Sequence, residues 1–445
     1  MMKKFLAIFL TLALALSLIA CGQQPSDSAA TPAPADSSSD NTQSADEGSA
    51  ETIKVGVLLP NSGDSVNAGS RQRAGVEMYI NNYNEAGGIQ SMGGAKIEMI
   101  FADTTGKPDV GVTEMERLIQ QQGVSVIIGP YNSAVGAATA PIAEKYQIPY
   151  MLVNSTEDSI LQKGYQYTFR ANHATGNNAR AIVEMSMGLG EKKLGQKPMK
   201  WAIIAENTDW GNGTLTAVTN YLTQNYPDAE IVVSESYAAN TADMSSIINK
   251  IKAANPDVVV PCSYVNDALL FTQQMADYKL SNTIVSSGSG FAAGDFIEKA
   301  GTNAEYIYGS TGWNSGLLAH LGDEAKAINE QYKALMGFDM DEFSANGYLG
   351  AAVVVDAIER AASSDPAAIH KAIQETDIKP GHPALALHPY KGVKFGELMG
   401  MQNQNIYSEV TMTQILNGEF VVVYPFEMLG DNNPAVYPAP DWSQR

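Results

Sequence analysis

The chain has 445 residues, and its 28 lysines and arginines against 48 aspartates and glutamates leave a net charge of −20. That acidity excludes a nucleic-acid binder, which needs a basic patch to meet phosphate. Hydrophobic residues at 44% and charged residues at 17% fit a large-cored globular protein of two or three domains, and two cysteines are too few for a disulfide scaffold or a cysteine-rich metal site.

Lys3 and Lys4 precede an apolar run over residues 5–20. A basic start and a short apolar core read as an export signal, and the run falls short of the ~20 residues that span a membrane. It ends Leu18-Ile19-Ala20-Cys21, which resembles the lipobox of bacterial lipoproteins. The resemblance implies cleavage before Cys21 and lipid on its thiol and amino group. Stable anchoring needs more than one chain, a condition that a multiply acylated cysteine meets. Residues 21–51 then read as a flexible acidic tether. The stretch 23–50 has no aromatic and no large aliphatic residue, so it buries too little to offset its ordering entropy. Folded structure is expected from residue 52, outside the cytoplasmic membrane. Cys262 is then the only other thiol, and no intramolecular disulfide can form.

Residues 53–59 predict a strand bounded by Pro60. Ala74, Val76, Met78, Ile80 and Tyr83 mark a helix ended by Gly87-Gly88. Strands follow at 97–101, 124–128 and 149–153, with helices marked by Val112, Met115, Leu118 and Ile119 and over 134–146. A second set has strands at 201–205, 231–234, 258–261 and 283–286, with helices through Leu215, Val218 and Leu222, over 244–254 and over 268–278. The order repeats, so the fold class is α/β: two similar Rossmann-like lobes with parallel sheets covered on both faces. Residues 320–375 read as helices, 348–362 most clearly. Asn417-Gly418 between two apolar runs predicts a hairpin.

Open parallel sheets bind ligands beyond the carboxyl ends of their strands. The loops expected there are 60–69, 130–133, 154–158, 206–211, 263–267 and 286–290, rich in Ser, Asn, Thr, Gly and aromatic residues. Ser133 lies at a predicted helix start near Ala134, where unpaired N–H groups and the dipole attract a carboxylate, although a cap alone would also place serine there. Asn154-Ser155-Thr156-Glu157 repeats the arrangement. There is no Gly-x-Ser-x-Gly, no His-Glu-x-x-His and no phosphate-cradling loop, and no catalytic residue is assigned. His382 and His388 read as solvated loop residues, so no metal and no cofactor is expected. Gly288-x-Gly290-x-x-Ala293 imitates a dinucleotide fingerprint, but it comes late in its lobe, and a tight loop at the cleft is the better account.

Ile53-Lys54-Val55-Gly56-Val57 with Ser62-Gly63, Ala86-Gly87-Gly88-Ile89, Val126-Ile127-Ile128-Gly129-Pro130 with Ser133, Tyr165 with Phe169-Arg170, Asp209-Trp210-Gly211 and Asn346-Gly347-Tyr348 occur in this order. In that order and spacing the chain resembles the type I periplasmic binding proteins, in the leucine/isoleucine/valine-binding branch of ABC importers. The resemblance runs from about residue 53 to residue 424. It implies a solute receptor with a hinge of three segments, near 170–172, 308–312 and 400–406. Lobe 1 would comprise 52–171 and 310–402, and lobe 2 would comprise 172–309 and 403–445. Ser133 and Thr156 would hold a ligand carboxylate, with Asn154 and Ser155 beside them. Trp210 and Tyr264 would close from the second lobe, and Tyr131, Asn132, Asp267 and Gly288 are further candidates.

Amino-acid binders of this branch place an acidic residue near Gly288 to pair the ligand's ammonium. Here the segment reads Ser286-Ser287-Gly288-Ser289-Gly290. Either Asp267, Glu157 or Asp158 supplies the charge, or the ligand lacks an ammonium. The aromatic residue expected in loop 60–69 is replaced by Ala68, which leaves more room for a ligand side chain. The expected function is an extracytoplasmic, lipid-anchored, monomeric substrate-binding protein. It captures a small carboxylate- or amide-bearing solute and delivers it to ABC permease subunits. The alternatives are a ligand sensor for a receptor kinase and an extracellular hydrolase.

Overall fold

A computed structural model describes residues 52–445. The expected signal, Cys21 and the tether lie outside the described residues. Strands β1 (Ile53–Leu59), β2 (Ile97–Asp103), β3 (Val126–Ile128), β4 (Tyr150–Leu152) and β5 (Thr168–Arg170) alternate with α1 (Val66–Glu85), α2 (Pro108–Arg117), α3 (Ser133–Tyr146) and α4 (Asp158–Leu161). A second run holds α5 (Thr175–Leu194), β6 (Lys200–Glu206), α6 (Asp209–Asn225), β7 (Glu230–Tyr237), α7 (Ser245–Ala254) and β8 (Val258–Cys262). It continues through α8 (Val265–Asp277), β9 (Thr283–Ser286), α9 (Phe296–Ala300) and β10 (Tyr308–Thr311). Then come α10 (Asp323–Met336), α11 (Glu342–Ala361), α12 (Pro366–Gln374), β11 (Asp377–Ile378), β12 (Val393–Leu398) and β13 (Met401–Asn405). The chain ends with β14 (Thr411–Leu416), β15 (Glu419–Tyr424) and α13 (Phe426–Leu429).

The strands form two sheets, in the orders β11-β12-β13-β5-β4-β3-β1-β2 and β15-β14-β10-β9-β8-β6-β7. Pairing is parallel from β13 to β2 and from β10 to β7, with antiparallel strands added at one edge of each. The α/β class and the paired parallel lobes match the sequence reading. The lobe boundaries move slightly. The expected switch at 309–310 falls inside β10 and that at 402–403 inside β13. The chain changes sheet after Arg170, after Thr311 and after Asn405. Both strand ends are paired into their own sheets, and backbone hydrogen bonds decide where a lobe stops.

Each parallel sheet is apolar on both faces, as a sheet covered twice must be. In β6, Ala202 and Ile204 pack in one cluster with Phe271 and Phe291, while Trp201, Ile203 and Ala205 pack in another with α5 and α6. Lobe 1 is organised around α11, buried along nearly its whole length. It crosses α1 closely at glycines: a Cβ on Gly75 would lie 2.0 Å from Ser344 O, and one on Gly347 would lie 2.4 Å from Gln72 O. The hairpin turn is as predicted. Asn417 and Gly418 have φ of 55° and 75°, the paired positive values of the turn that matches strand twist. Cys262, at the end of β8, is a free, fully buried thiol. Burial pushes it up to about 12.

Candidate ligand cleft between the lobes

The carboxyl ends of β3, β4, β6, β8 and β9 converge on one cleft. Its inner chamber is lined by Tyr131, Ser133, Asn154, Thr156, His173, Asn178, Trp210, Tyr264, Ser287, Ser289, Glu342 and Phe343, around about 30 Å³ of free space. Tyr131 and Tyr264 also line a second, outer chamber of about 250 Å³.

Ser133 is the first residue of α3, not its cap. Asn132 holds the N-cap position, but its side chain makes no capping hydrogen bond to the helix. The buried Ser133 Oγ accepts from Glu157 N–H at 3.3 Å, which leaves its own proton to donate. Thr156 Oγ1 accepts from Thr175 Oγ1 at 3.3 Å and is placed likewise. Two hydroxyl donors therefore face the chamber beside the amino end of a helix, an arrangement suited to a carboxylate. Arg170 braces this wall from behind. Its Nη1 donates to Ser155 O and Glu157 O, both at 3.0 Å, and its Nε to Gln404 Oε1 at 2.7 Å. Burial lowers its pKa only to about 10, so it stays cationic.

Asn154 is tied to α11: its amide donates to Phe343 O at 3.2 Å, and its oxygen accepts from Asn346 at 2.8 Å. Ser155 does not line the chamber. Its hydroxyl turns away to Asn132 O at 3.4 Å. Asn132 and Asp267 line the outer chamber instead, and Asp267 accepts from Asn240 N–H at 2.9 Å. Trp210, second residue of α6, stacks on Tyr264 with centroids 5.1 Å apart and planes at 16°. Tyr264 in turn lies 5.4 Å from Tyr131, which meets Phe343 edge-on at 5.3 Å. The aromatic wall joins residues from both lobes.

Glu342, unassigned from the sequence, changes the reading of Gly288. Gly288 has φ +80°, and a Cβ there would meet Ser310 O at 2.4 Å and Glu342 Oε2 at 3.4 Å. The side-chain space that Gly288 leaves is therefore bordered by the Glu342 carboxylate, delivered by the first turn of α11. Its Oε1 accepts from His173 Nε2 at 3.0 Å and from Gly312 N–H at 3.4 Å. Glu342 is only 6% exposed. Neither Glu157 nor Asp158 lines the chamber. His173, Asn178 and Ser287 were also missed, and each carries a buried polar atom without a partner: Nδ1, Oδ1 and Oγ. Such atoms cost ~1–3 kcal/mol each while unpaired.

Among the described residues no group of acidic, histidine and cysteine side chains is arranged to hold a metal ion, and no helix is long and apolar enough to cross a membrane.

This two-lobe architecture with a cleft between the lobes is that of a solute-binding protein. Residues 52–396 match the family described as "Periplasmic binding protein", and the chain belongs to it. Its homologues are substrate-binding components of transport, and the protein is not an enzyme. It is 29% identical over 384 residues to Leu/Ile/Val-binding protein homolog 7 of Brucella abortus (strain 2308), covering 84% of this chain and 91% of that one. To homolog 8 of the same strain it is 30% identical over 381 residues, covering 84% and 90%. Among solved structures, it matches LivJ, the branched-chain amino acid transporter substrate binding protein from Streptococcus pneumoniae in complex with isoleucine. The TM-score is 0.71 at 23% identity, over 84% of this chain and 100% of that one. A solute binding protein of an ABC transporter from R. palustris in complex with benzoate matches with TM-score 0.68 at 21% identity, over 84% and 96%.

Proposed function

We propose that this protein is the lipid-anchored, monomeric solute-capturing component of an ABC importer and that its ligand is an α-amino acid. The observation that carries the ligand class is the opposed polarity of the inner chamber. Ser133 and Thr156 offer hydroxyl protons at the α3 end, and the Glu342 carboxylate lines the same chamber and borders the Gly288 space. A carboxylate fits the first and an ammonium the second. An ammonium closed in without an anion would cost several kcal/mol, and Glu342 removes that cost. About 30 Å³ is close to one water's share of liquid volume and too little for such a molecule, so binding involves lobe movement around the three crossings, with the ligand shifting the population toward closure. The Leu/Ile/Val-binding relatives support the amino-acid class, and the lipobox at Cys21 supports the anchor.

Calorimetry with α-amino acids and their deaminated counterparts tests this reading, with benzoate as a further probe. The deaminated acids are expected to bind at least tenfold more weakly, and Glu342→Gln should shrink that gap. Benzoate binding that matches the amino acids and ignores Glu342→Gln would overturn it in favour of an aromatic acid, which the wall of Tyr131, Trp210, Tyr264 and Phe343 could also accept.

A further inference from the structure

The outer chamber lies next to the inner one, and Tyr131 and Tyr264 are walls of both. Lobe 1 contributes Asp64, Ser65, Ala68, Thr105, Gly106, Lys107 and Asn132, and lobe 2 contributes Glu206, Asn240, Tyr264 and Asp267. A ligand whose head lies in the inner chamber can extend its tail past the shared tyrosines into this space, where Ala68 takes up little room. Its lining is rich in acceptors. Asp64, Glu206 and Asp267 are carboxylates, and Lys107, at the exposed rim, is the one cation among the lining residues. Glu206 and Asp267 are buried, at 0% and 2% exposure.

A separate observation points to a ligand. Asn132 is 8% exposed, and its amide nitrogen is spent on Ser65 Oγ at 3.1 Å, while its Oδ1 is buried without a partner. That oxygen lies 3.3 Å from the Cβ position of Gly106, another residue of the chamber wall. Oδ1 can only accept a hydrogen bond. Glu206 accepts from Tyr264 N–H at 2.9 Å and Thr208 Oγ1 at 3.1 Å, and Asp267 from Asn240 N–H, so their charge is held in place but not neutralised by a cation. A branched aliphatic tail would leave Asn132 Oδ1 without a partner, which weighs against binding.

Resting on the amino-acid reading of the inner chamber, we propose that the outer chamber selects a solute whose tail ends in a cationic, donor-rich group, an ammonium or a guanidinium. The tail passes the faces of Tyr131 and Tyr264, which attract cations, and its donors reach Asn132 Oδ1 and the carboxylates of Glu206 and Asp267. Burial pushes the Glu206 carboxyl up to about 7, and a cation beside it favours the ionised form.

Calorimetry on the purified full chain with L-lysine, L-arginine, L-norleucine and 1,5-diaminopentane tests the assignment. Norleucine keeps the four side-chain carbons and the α-amino-acid head of lysine without its tail ammonium. Lysine or arginine is expected to bind at least tenfold more tightly than norleucine. Asp267→Asn and Glu206→Gln, checked for an unchanged melting transition, should reduce that ratio at least fivefold. Norleucine binding as tightly as lysine and arginine overturns the outer-chamber assignment and leaves the amino-acid reading standing. Binding of 1,5-diaminopentane with no binding of any amino acid supports the chamber and overturns the head. Absence of binding by all four probes overturns both.

Discussion

At the scale of single residues, burial decides which carboxylates carry information. Glu157, next to Thr156, reaches across to the other lobe: a Cβ on Gly213 of α6 would lie 1.6 Å from its Oε2. That oxygen is buried without a partner. Burial, with Asp158 adding to it, pushes the carboxyl from its ordinary 4.5 up to about 7. A raised carboxyl is neutral in the packed form over a range where the unpacked form is ionised, so packing takes up a proton. The stability it contributes is therefore present below about 4.5 and is lost as pH rises through about 7. Glu157→Gln, permanently neutral, should gain in melting temperature relative to the parent as pH goes from 5 to 8. A difference that stays constant across that range would show that Glu157 does not titrate in this contact. Ser133 makes a second residue-level case. Ser133→Ala removes one of two hydroxyl donors and leaves a ligand oxygen short of a bond, a loss of roughly 1–3 kcal/mol in binding. Isothermal titration with whichever amino acid binds would read it, and equal affinity would reduce Ser133 to a helix-start residue.

At the scale of elements, most of the frame was legible. The alternation of apolar strands with amphipathic helices is a strong signal where each run is long, as in β1, β6 and α1. The missed elements have physical reasons. Strand β5 is three residues long. Helix α5 is 20 residues long, but buried Asn177, Asn178 and Ser186 and its glycines dilute its apolar stripe. Helix α11 starts six residues earlier than its clearest apolar pattern because Asp341 caps it, accepting from Ser344 N–H at 3.1 Å. That early start presents Glu342, the proposed ammonium partner, to the cleft, and residues 342–347 lie within the expected helical stretch but before its clearest apolar pattern. Ser133 and Thr156 were readable as strand-end loop residues at helix starts and Trp210 and Tyr264 through the family resemblance, and all four line one chamber. Ser155 was not distinguishable from its neighbours, since only the turn of the backbone decides which of three adjacent side chains faces inward. The α1–α11 crossing gives an element-level test. Alanine at Gly75 would favour the helix by about 1 kcal/mol, yet its Cβ would meet a backbone oxygen that cannot swing aside. Overpacking costs ~1–3 kcal/mol or more, so Gly75→Ala should lower the urea midpoint. A midpoint at or above that of the parent would mean that the helices part without cost.

At the scale of the whole molecule, the lobes are linked by charge as well as by the three crossings. Arg71 of α1 pairs with Asp341 at the start of α11 and with Asp295 in the second lobe, both at 2.8 Å. Gly294 N–H also reaches Asp341, at 3.2 Å. In the proposed role the protein works beside a permease and has to be held near it, which the proposed lipid on Cys21 would do. Cys21→Ala should move the protein from the membrane fraction to the soluble fraction of fractionated cells; retention would refute the lipid assignment.

Cys262 has a practical consequence. Its thiol is fully buried and pushed up to about 12, so it holds almost no thiolate at neutral pH and is shielded from reagents. In a Cys21→Ala background, two cysteines placed on the outer surfaces of opposite lobes would be the only sites open to maleimide dyes. The native chain thus accepts a fluorescent donor and acceptor without removal of its core thiol, and closure can be followed as energy transfer, one molecule at a time.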